Sequence, residues 1–181
     1  MDPDIITLGK GVASGYAPLG AVIVGPRVVK AFAEGSGAFQ HGFTYQAHPV
    51  SMAAGNAVLD VLGEKKLFGR VTEAGRELMY ALEPLKSHPH IGDIRGMGLL
   101  AAIEFVKDKK TREPFPRESN IADRMRQAAD HHGVLTYPGQ GCVDGDRGDH
   151  LLLAPPFVIT PQECRMTADA IARASAEVFR S

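Results

Sequence analysis

A single lysine stands between two glycines near the start of the sequence, in Asp4-Ile5-Ile6-Thr7-Leu8-Gly9-Lys10-Gly11, where a short apolar run of β type ends. An amine of this kind is a nucleophile or a base only after it gives up its proton, and desolvation or nearby cations favour that loss. The freed lone pair can then condense with an aldehyde. Glycine on either side removes Cβ atoms and lets a large planar ligand come close to the backbone. A loop punctuated by Gly and Pro, Ser14-Gly15-Tyr16-Ala17-Pro18-Leu19-Gly20, follows at once. Such a stretch delivers one amine from a strand tip into a cavity. Taken alone, Lys10 reads as a solvated lysine at a strand end, since lysine is mostly exposed. The residues that follow change that reading.

A second stretch with polar chemistry is His41-Gly42-Phe43-Thr44-Tyr45-Gln46-Ala47-His48-Pro49. Neither histidine has a cysteine or carboxylate partner at metal-ligand spacing, so no metal site is expected here. Together with Asp4 to Gly11 and the loop from Gly15 to Gly20, this stretch resembles the C-terminal half of a class III, pyridoxal-phosphate-dependent aminotransferase. The flavour is similar to the ω-amino acid or amine:pyruvate group. Arg95-Gly96-Met97-Gly98-Leu99 and Ala154-Pro155-Pro156 follow in the right order, so the resemblance covers essentially the whole chain.

The resemblance implies an α/β fold of fold type I: the C-terminal part of the large domain of a PLP-dependent transferase, plus an α+β small domain. It implies that Lys10 carries pyridoxal 5'-phosphate and, once released, moves a proton as general base and then acid. Thr44 is implied to donate its hydroxyl to the cofactor phosphate of the other subunit, across a homodimer interface. Arg147, shortly before the Pro-Pro element, is the candidate for the ketoacid carboxylate, on a Gly-rich loop that would let it swing aside for an uncharged amine. Tyr16 is a candidate to line the substrate pocket, while Arg95 in its Gly-rich strand reads as structural. The partners implied are a small-molecule amino donor and a ketoacid such as pyruvate. The acid for the pyridine nitrogen, the ring-stacking aromatic and the phosphate-cradling helix start are expected upstream of Met1, which makes the chain an expected C-terminal fragment. Two other readings stand beside transamination: a non-catalytic fragment unable to hold the cofactor, and an aminomutase or decarboxylase on the same scaffold.

Composition bounds the rest. The 181 residues are 44% hydrophobic and 23% charged, with a formal net charge of −1. That balance argues against a nucleic-acid partner, which calls for a basic excess. No apolar run reaches the eighteen or so residues of a membrane span, and no signal-peptide pattern opens the chain. Two cysteines, Cys142 and Cys164, are too few for a disulfide framework, so a reducing cytoplasm is the expected location. With no tryptophan and 7% aromatic residues, the core must come mostly from Ala, Val, Leu and Ile.

The elements that must position these residues follow from periodicity. Gly20 to Gly25 predicts a buried strand, and Pro26 opens a short helix ending near Gly35. Gly35 to Ala47 predicts a loop. Pro49 opens a helix with Val50, Ala53, Ala54, Ala57, Val58, Val61 and Leu62 as its apolar stripe, and a second helix runs from about Leu67 to Lys86. Asp93 to Val106 predicts two strands, or one bent by its glycines. Ser119 is expected to cap a helix through His132, ahead of a short strand at Val134 to Tyr137. A mobile loop over Pro138 to Asp149 precedes a strand at His150 to Leu153. Thr160-Pro161-Gln162-Glu163 predicts a capping box before a final helix whose apolar face includes Cys164, Ala168, Ile171, Ala172, Ser175, Val178 and Phe179. The expected division is residues 1–86, a partial cofactor-binding domain with a connecting helix, and residues 87–181, a small α/β domain.

Overall fold

The computed structural model describes residues 2–180. It separates into two compact units, one reaching to Lys66 and the other beginning at Leu67.

In the first unit, β1 (Ile5–Leu8) and β2 (Ala21–Val24) pair antiparallel with Ile5 opposite Val24 and Leu8 opposite Ala21. A bond from the Gly25 N–H to the Asp4 carbonyl at 2.7 Å extends the ladder, and the Arg27 guanidinium meets the Asp4 carboxylate beside it. The expectation of a buried strand at Gly20 to Gly25 is corrected: all four residues of β2 are exposed, because among the described residues β1 is the strand's one ladder partner. Helix α1 (Pro26–Glu34) starts at its proline, as that residue's fixed φ and missing N–H favour.

Helix α2 (Pro49–Glu64) also starts at a proline, but its covered stripe is rotated from the expected one. Ser51 and Gly55 are buried, Ala54, Val58 and Leu62 are half-buried, and Val50 and Val61 face solvent. Gly55 sets this rotation, since a Cβ there would lie 2.5 Å from Leu19 Cδ2. The other glycine of the helix, Gly63, meets no such neighbour.

The second unit is a four-stranded antiparallel sheet with helices on one face. Its strands are β3 (Ile91–Met97), β4 (Leu100–Phe105), β5 (Tyr137–Gly139) and β6 (Asp149–Leu153), in the order β3-β4-β6-β5. Alternation decides what is buried. Ile94, Ala101, Ile103, Phe105, Leu151 and Leu153 point inward, while Arg95, Glu104, His150 and Leu152 lie on the other side. The inward face packs on Ala74, Leu78 and Leu82 of α3 (Leu67–Leu82), Ile121, Met125 and Ala129 of α4 (Ile121–His131), and Cys164, Ile171 and Ala174 of α5 (Pro161–Val178). No helix among the described residues is long and apolar enough to cross a membrane.

Several local expectations shift. The helix expected to reach Lys86 ends at Leu82 and tightens into a 3-10 turn over Glu83–Ser87, as Pro84 requires. The strand expected at Val134 to Tyr137 is displaced to Tyr137–Gly139, because Gly139 alone leaves room for the His150 ring, which sits 2.3 Å from where a Cβ would be. Ala172 is exposed, and Ala170 and Ala174 take its place inside. Thr160 and Glu163 do form the reciprocal capping box. Cys164 is buried, and burial pushes its thiol up from the usual value.

The β3-β4 hairpin docks on α3 through two glycines. Gly98 holds φ +55°, and a Cβ on Gly75 would stand 2.2 Å from the Gly98 carbonyl oxygen and 2.8 Å from its Cα. Backbone meets backbone there, so nothing can give way cheaply. Gly75→Ala is expected to cost about 2 kcal/mol by overpacking, whereas Gly69→Ala on the open side of the same helix gains up to about 1 kcal/mol; urea midpoints of the two variants check the contrast.

Candidate functional site

Lys10 follows β1 by one residue, at the first position of a 3-10 turn over Lys10–Ala13. Gly9 keeps the extended direction of the strand, with φ −166°, and Lys10 then turns the chain with φ +49°. A side chain in that left-handed region costs on the order of 1–2 kcal/mol, and non-glycine residues held there concentrate at functional sites. The turn is fixed by bonds from Val12 N–H to the Gly9 carbonyl at 3.2 Å and from Ser14 N–H to the Gly11 carbonyl at 3.0 Å. Ala13 is wholly buried and anchors the turn beside α2. The space next to Gly9 and Gly11 is open: no atom lies within 4 Å of the Cβ either would carry. The Lys10 side chain is exposed and has no hydrogen bond or ion pair among the described residues.

Tyr16 lies six residues on, its N–H bonded to the Ala13 carbonyl at 2.9 Å and its side chain 85% exposed. The loop between α1 and α2 carries Thr44 in a turn closed by Gln46 N–H to the Phe43 carbonyl at 3.1 Å. Its rings form a chain, with Phe32 and Phe39 edge to face at 5.5 Å, Phe39 and His41 at 5.6 Å, and His41 and Phe43 at 6.5 Å. Phe43 and Tyr45, on either side of Thr44, line a cavity of about 700 Å³ with Leu19, Gly20, Ser51 and Met52. Thr44 itself is exposed, and its hydroxyl is unbonded among the described residues. No group of three His, Cys, Asp or Glu that could hold a metal occurs among the described residues.

Arg147 belongs to the second unit, on the loop from Gln140 to Gly148. This loop carries ion pairs and side-chain-to-backbone bonds of its own. Asp144 Oδ1 accepts from Asp146 N–H at 3.0 Å and Arg147 N–H at 2.7 Å, and its Oδ2 accepts from Arg147 Nε at 2.8 Å. Arg117 bonds Asp146 at 2.5 Å. Arg95 gives the same Nη1 to Asp93 at 2.9 Å and Glu104 at 2.6 Å on the sheet's open face, a geometry consistent with a structural part. Cys142 Sγ lies 3.7 Å from Glu104, and burial together with that carboxylate raises the thiol above its usual value.

Sequence reasoning misses Asp149. It opens β6, is 1% exposed, and its Oδ1 accepts from Ala122 N–H at 2.9 Å and Gln140 Nε2 at 3.0 Å. Ser119 therefore does not cap α4. Ser119 closes a 3-10 turn, Asn120 sits left-handed at the helix start without capping it through its side chain, and a carboxylate from a distant strand takes the orphan N–H. The available signal is an aspartate immediately before a strand whose alternate residues face the core.

A family model described as aminotransferase class III matches residues 1–175. The chain belongs to the class III aminotransferase family. It is similar to an uncharacterised aminotransferase of Schizosaccharomyces pombe, 41% identical over 172 residues, which cover 94% of this chain and 38% of that protein. Among solved structures it resembles a thermostable (S)-enantioselective omega-transaminase from Thermomicrobium roseum, with 33% identity and a TM-score of 0.87, covering 99% of this chain and 38% of that one. It also resembles an amine transaminase from an uncultivated Pseudomonas species in its PLP-bound form, with 34% identity, a TM-score of 0.86, and 97% of this chain against 39% of that one. The chain thus spans well under half the length of these relatives.

Two outcomes follow from the carboxylates. The Asp144 carboxyl is held at about 2, below the ordinary 3.8, first by the Arg147 N–H, then by its guanidinium and the Asp146 N–H. Because the folded value is the lower one, the pairing is complete above the ordinary carboxylate value and is lost as pH falls through about 2. The Arg147 Nε–H NMR signal should stay in its bonded position from neutral pH down to about pH 4 and move only below pH 3. Removing the buried acceptor with Asp149→Ala should cost about 2–3 kcal/mol, and Asp149→Asn clearly less, because an amide oxygen still accepts from Ala122; denaturant titration separates them.

Proposed function

We propose that the protein is a PLP-dependent transaminase that moves an amino group from an ω-amino acid or amine to a ketoacid such as pyruvate. The observation that carries this reading is Lys10: a lysine forced into the left-handed region at a strand tip, between two glycines with open space beside them. Membership of the class III family and the PLP-bound Pseudomonas relative support it. The residues present fit such a cofactor. Lys10 Nζ has no competing partner among the described residues, and the Thr44 hydroxyl has a free donor.

When bound, pyridoxal phosphate supplies an electron sink for charge that develops at the substrate carbon. Lys10 would hold it covalently, and Thr44 Oγ1 would donate to a phosphate oxygen in a homodimer, a bond worth roughly 1.5–3 kcal/mol to a charged acceptor. Lys10 Nζ then serves a second purpose. With its amine free, it would take the proton that leaves the substrate carbon and hold it for return, as base and then acid. Tyr16 contributes a ring to the substrate side. Arg147 offers a guanidinium to the ketoacid carboxylate, which only a planar fork of N–H donors matches bidentately.

The test is spectroscopic and kinetic. The intact protein should develop a visible absorption band with pyridoxal phosphate that borohydride abolishes, and Lys10→Ala should never form it. Turnover in Lys10→Ala is expected to fall by about a thousandfold or more. A Lys10→Ala protein that still transaminates at the wild-type rate would overturn the reading.

A further inference from the structure

Phe179 closes α5, and its ring lies in a cluster drawn from three other segments. It meets His90 with ring centroids 4.7 Å apart, His88 at 5.4 Å, Phe115 at 5.7 Å and Phe105 at 6.0 Å. His88 and His90 stand in the turn that leads into β3, and both are half-buried. Hydrogen bonds select a different neutral form for each ring. His88 Nδ1 accepts the His90 backbone N–H at 3.2 Å, so its own proton must sit on Nε2. His90 Nδ1 faces the Val106 carbonyl at 3.1 Å, so there Nδ1 carries the proton. A second proton on His90 enters at Nε2 and leaves that bond intact. One on His88 can enter only at the acceptor, and the bond to His90 is lost.

The charges around His88 oppose that proton. Lys109, on the loop after β4, donates its ammonium to the Lys86 carbonyl and to the His88 carbonyl, the latter at 3.4 Å. The His90 ring stands 5.9 Å away. The acids of the neighbouring segments are engaged elsewhere: Glu83 with Lys86 at 2.7 Å, Glu113 with Lys107 at 2.9 Å, and Glu177 of α5 with His132 at 3.3 Å. Asp108 accepts from the Lys110 and Thr111 N–H groups of its own loop. Arg180, next after Phe179, is a further positive charge. Among the described residues no carboxylate pairs with either ring. Burial first, then His90 and Lys109, hold the His88 imidazole below its ordinary value of 6.5. Contact with an aromatic face favours a cation, but here it acts against burial and two neighbours of like sign.

We propose that His88 is a proton-operated latch on the end of α5: neutral, it accepts the His90 N–H and backs the Phe179 ring; protonated, it loses that bond beside the Lys109 ammonium, and the last turn of the helix opens. The latch lies wholly within the second unit and does not depend on the reading of Lys10. Because the closed form has the lower value, the open form binds the proton more readily. The latch is therefore shut above about 6.5 and loosens as pH falls from there.

The experiment follows the His88 ring by NMR titration in the intact protein. It also compares exchange of the Val178 and Phe179 amides at about pH 7.5 and about pH 5.5, corrected for intrinsic rates. The proteins are wild type, His88→Asn, His90→Asn and Lys109→Gln. In His88→Asn the amide oxygen stands where Nδ1 stood, so the bond survives and no proton can be added. In wild type, His88 should titrate below its ordinary value, and the Phe179 amide should lose protection about threefold to tenfold at the lower pH. His88→Asn should keep equal protection at both, His90→Asn should still lose it, and Lys109→Gln should move the His88 titration upward. A wild-type His88 that titrates at or above the ordinary value overturns the latch, whether or not any variant folds. Equal protection of wild type at both pH values, or a loss that persists in His88→Asn, overturns it as well.

Discussion

One carboxylate ties together most of what shapes the second unit. Asp149 begins the strand that lies between β4 and β5, and its single oxygen on Ala122 N–H and Gln140 Nε2 fixes where α4 starts and where the arginine loop leaves the sheet. A buried acceptor with two donors is stable only while both are present, because an orphaned polar group inside a protein costs more than the bond was worth. Helix position, strand end and loop base are therefore coupled. The aliphatic layer beneath, from Ile103 and Leu151 to Ile171, supplies bulk stabilisation but does not specify these three positions. Hydrophobic burial is non-directional, and the hydrogen bonds select one register among arrangements that bury similar area.

The first unit shows the complementary case, in which a backbone constraint rather than a buried contact does the placing. Lys10 could point anywhere from a regular strand end. The left-handed turn, locked by the Gly9 and Gly11 carbonyls and by buried Ala13, sends the chain round so that the lysine stands apart from the ladder of β1 and β2. The energy stored at Lys10 is modest, of order 1–2 kcal/mol, and the surrounding turn must over-determine it. Neighbouring glycines make that easier, since extended Gly9 and open Gly11 place no side chain in the path of a ligand.

What the sequence made legible divides along the same line. Elements announced by covalent chemistry are found where they were expected: Pro26 and Pro49 start helices, Thr160 and Glu163 cap α5, and the glycines of Arg95 to Leu99 turn a hairpin. Cys164 follows its helical period into the core. The family was legible in its motifs, as the match over residues 1–175 establishes. Expectations that depended on a partner far along the chain missed. The cap of α4 comes from Asp149, twenty-seven residues beyond Ala122. The stripe of α2 is rotated by the demand of Leu19 on Gly55, and β5 is shifted by the His150 ring over Gly139. The ion pairs of the loop at Gln140 to Gly148 were likewise not visible in its glycines. Local propensity carries no information about which distant group will arrive.

That last case bears on how an arginine discriminates. Affinity for a carboxylate depends on the difference between the bound ion pair and whatever the guanidinium does when the ligand is away. A solvated arginine loses water on binding, and a solvent-exposed pair such as Arg147 with Asp144 gives up only a screened contact. A partner within three residues changes that reference state at small cost in stability, since the same carboxylate also completes a turn. The resting state of this guanidinium is therefore set by a turn within three residues of it, and not by a group that arrives from elsewhere in the chain.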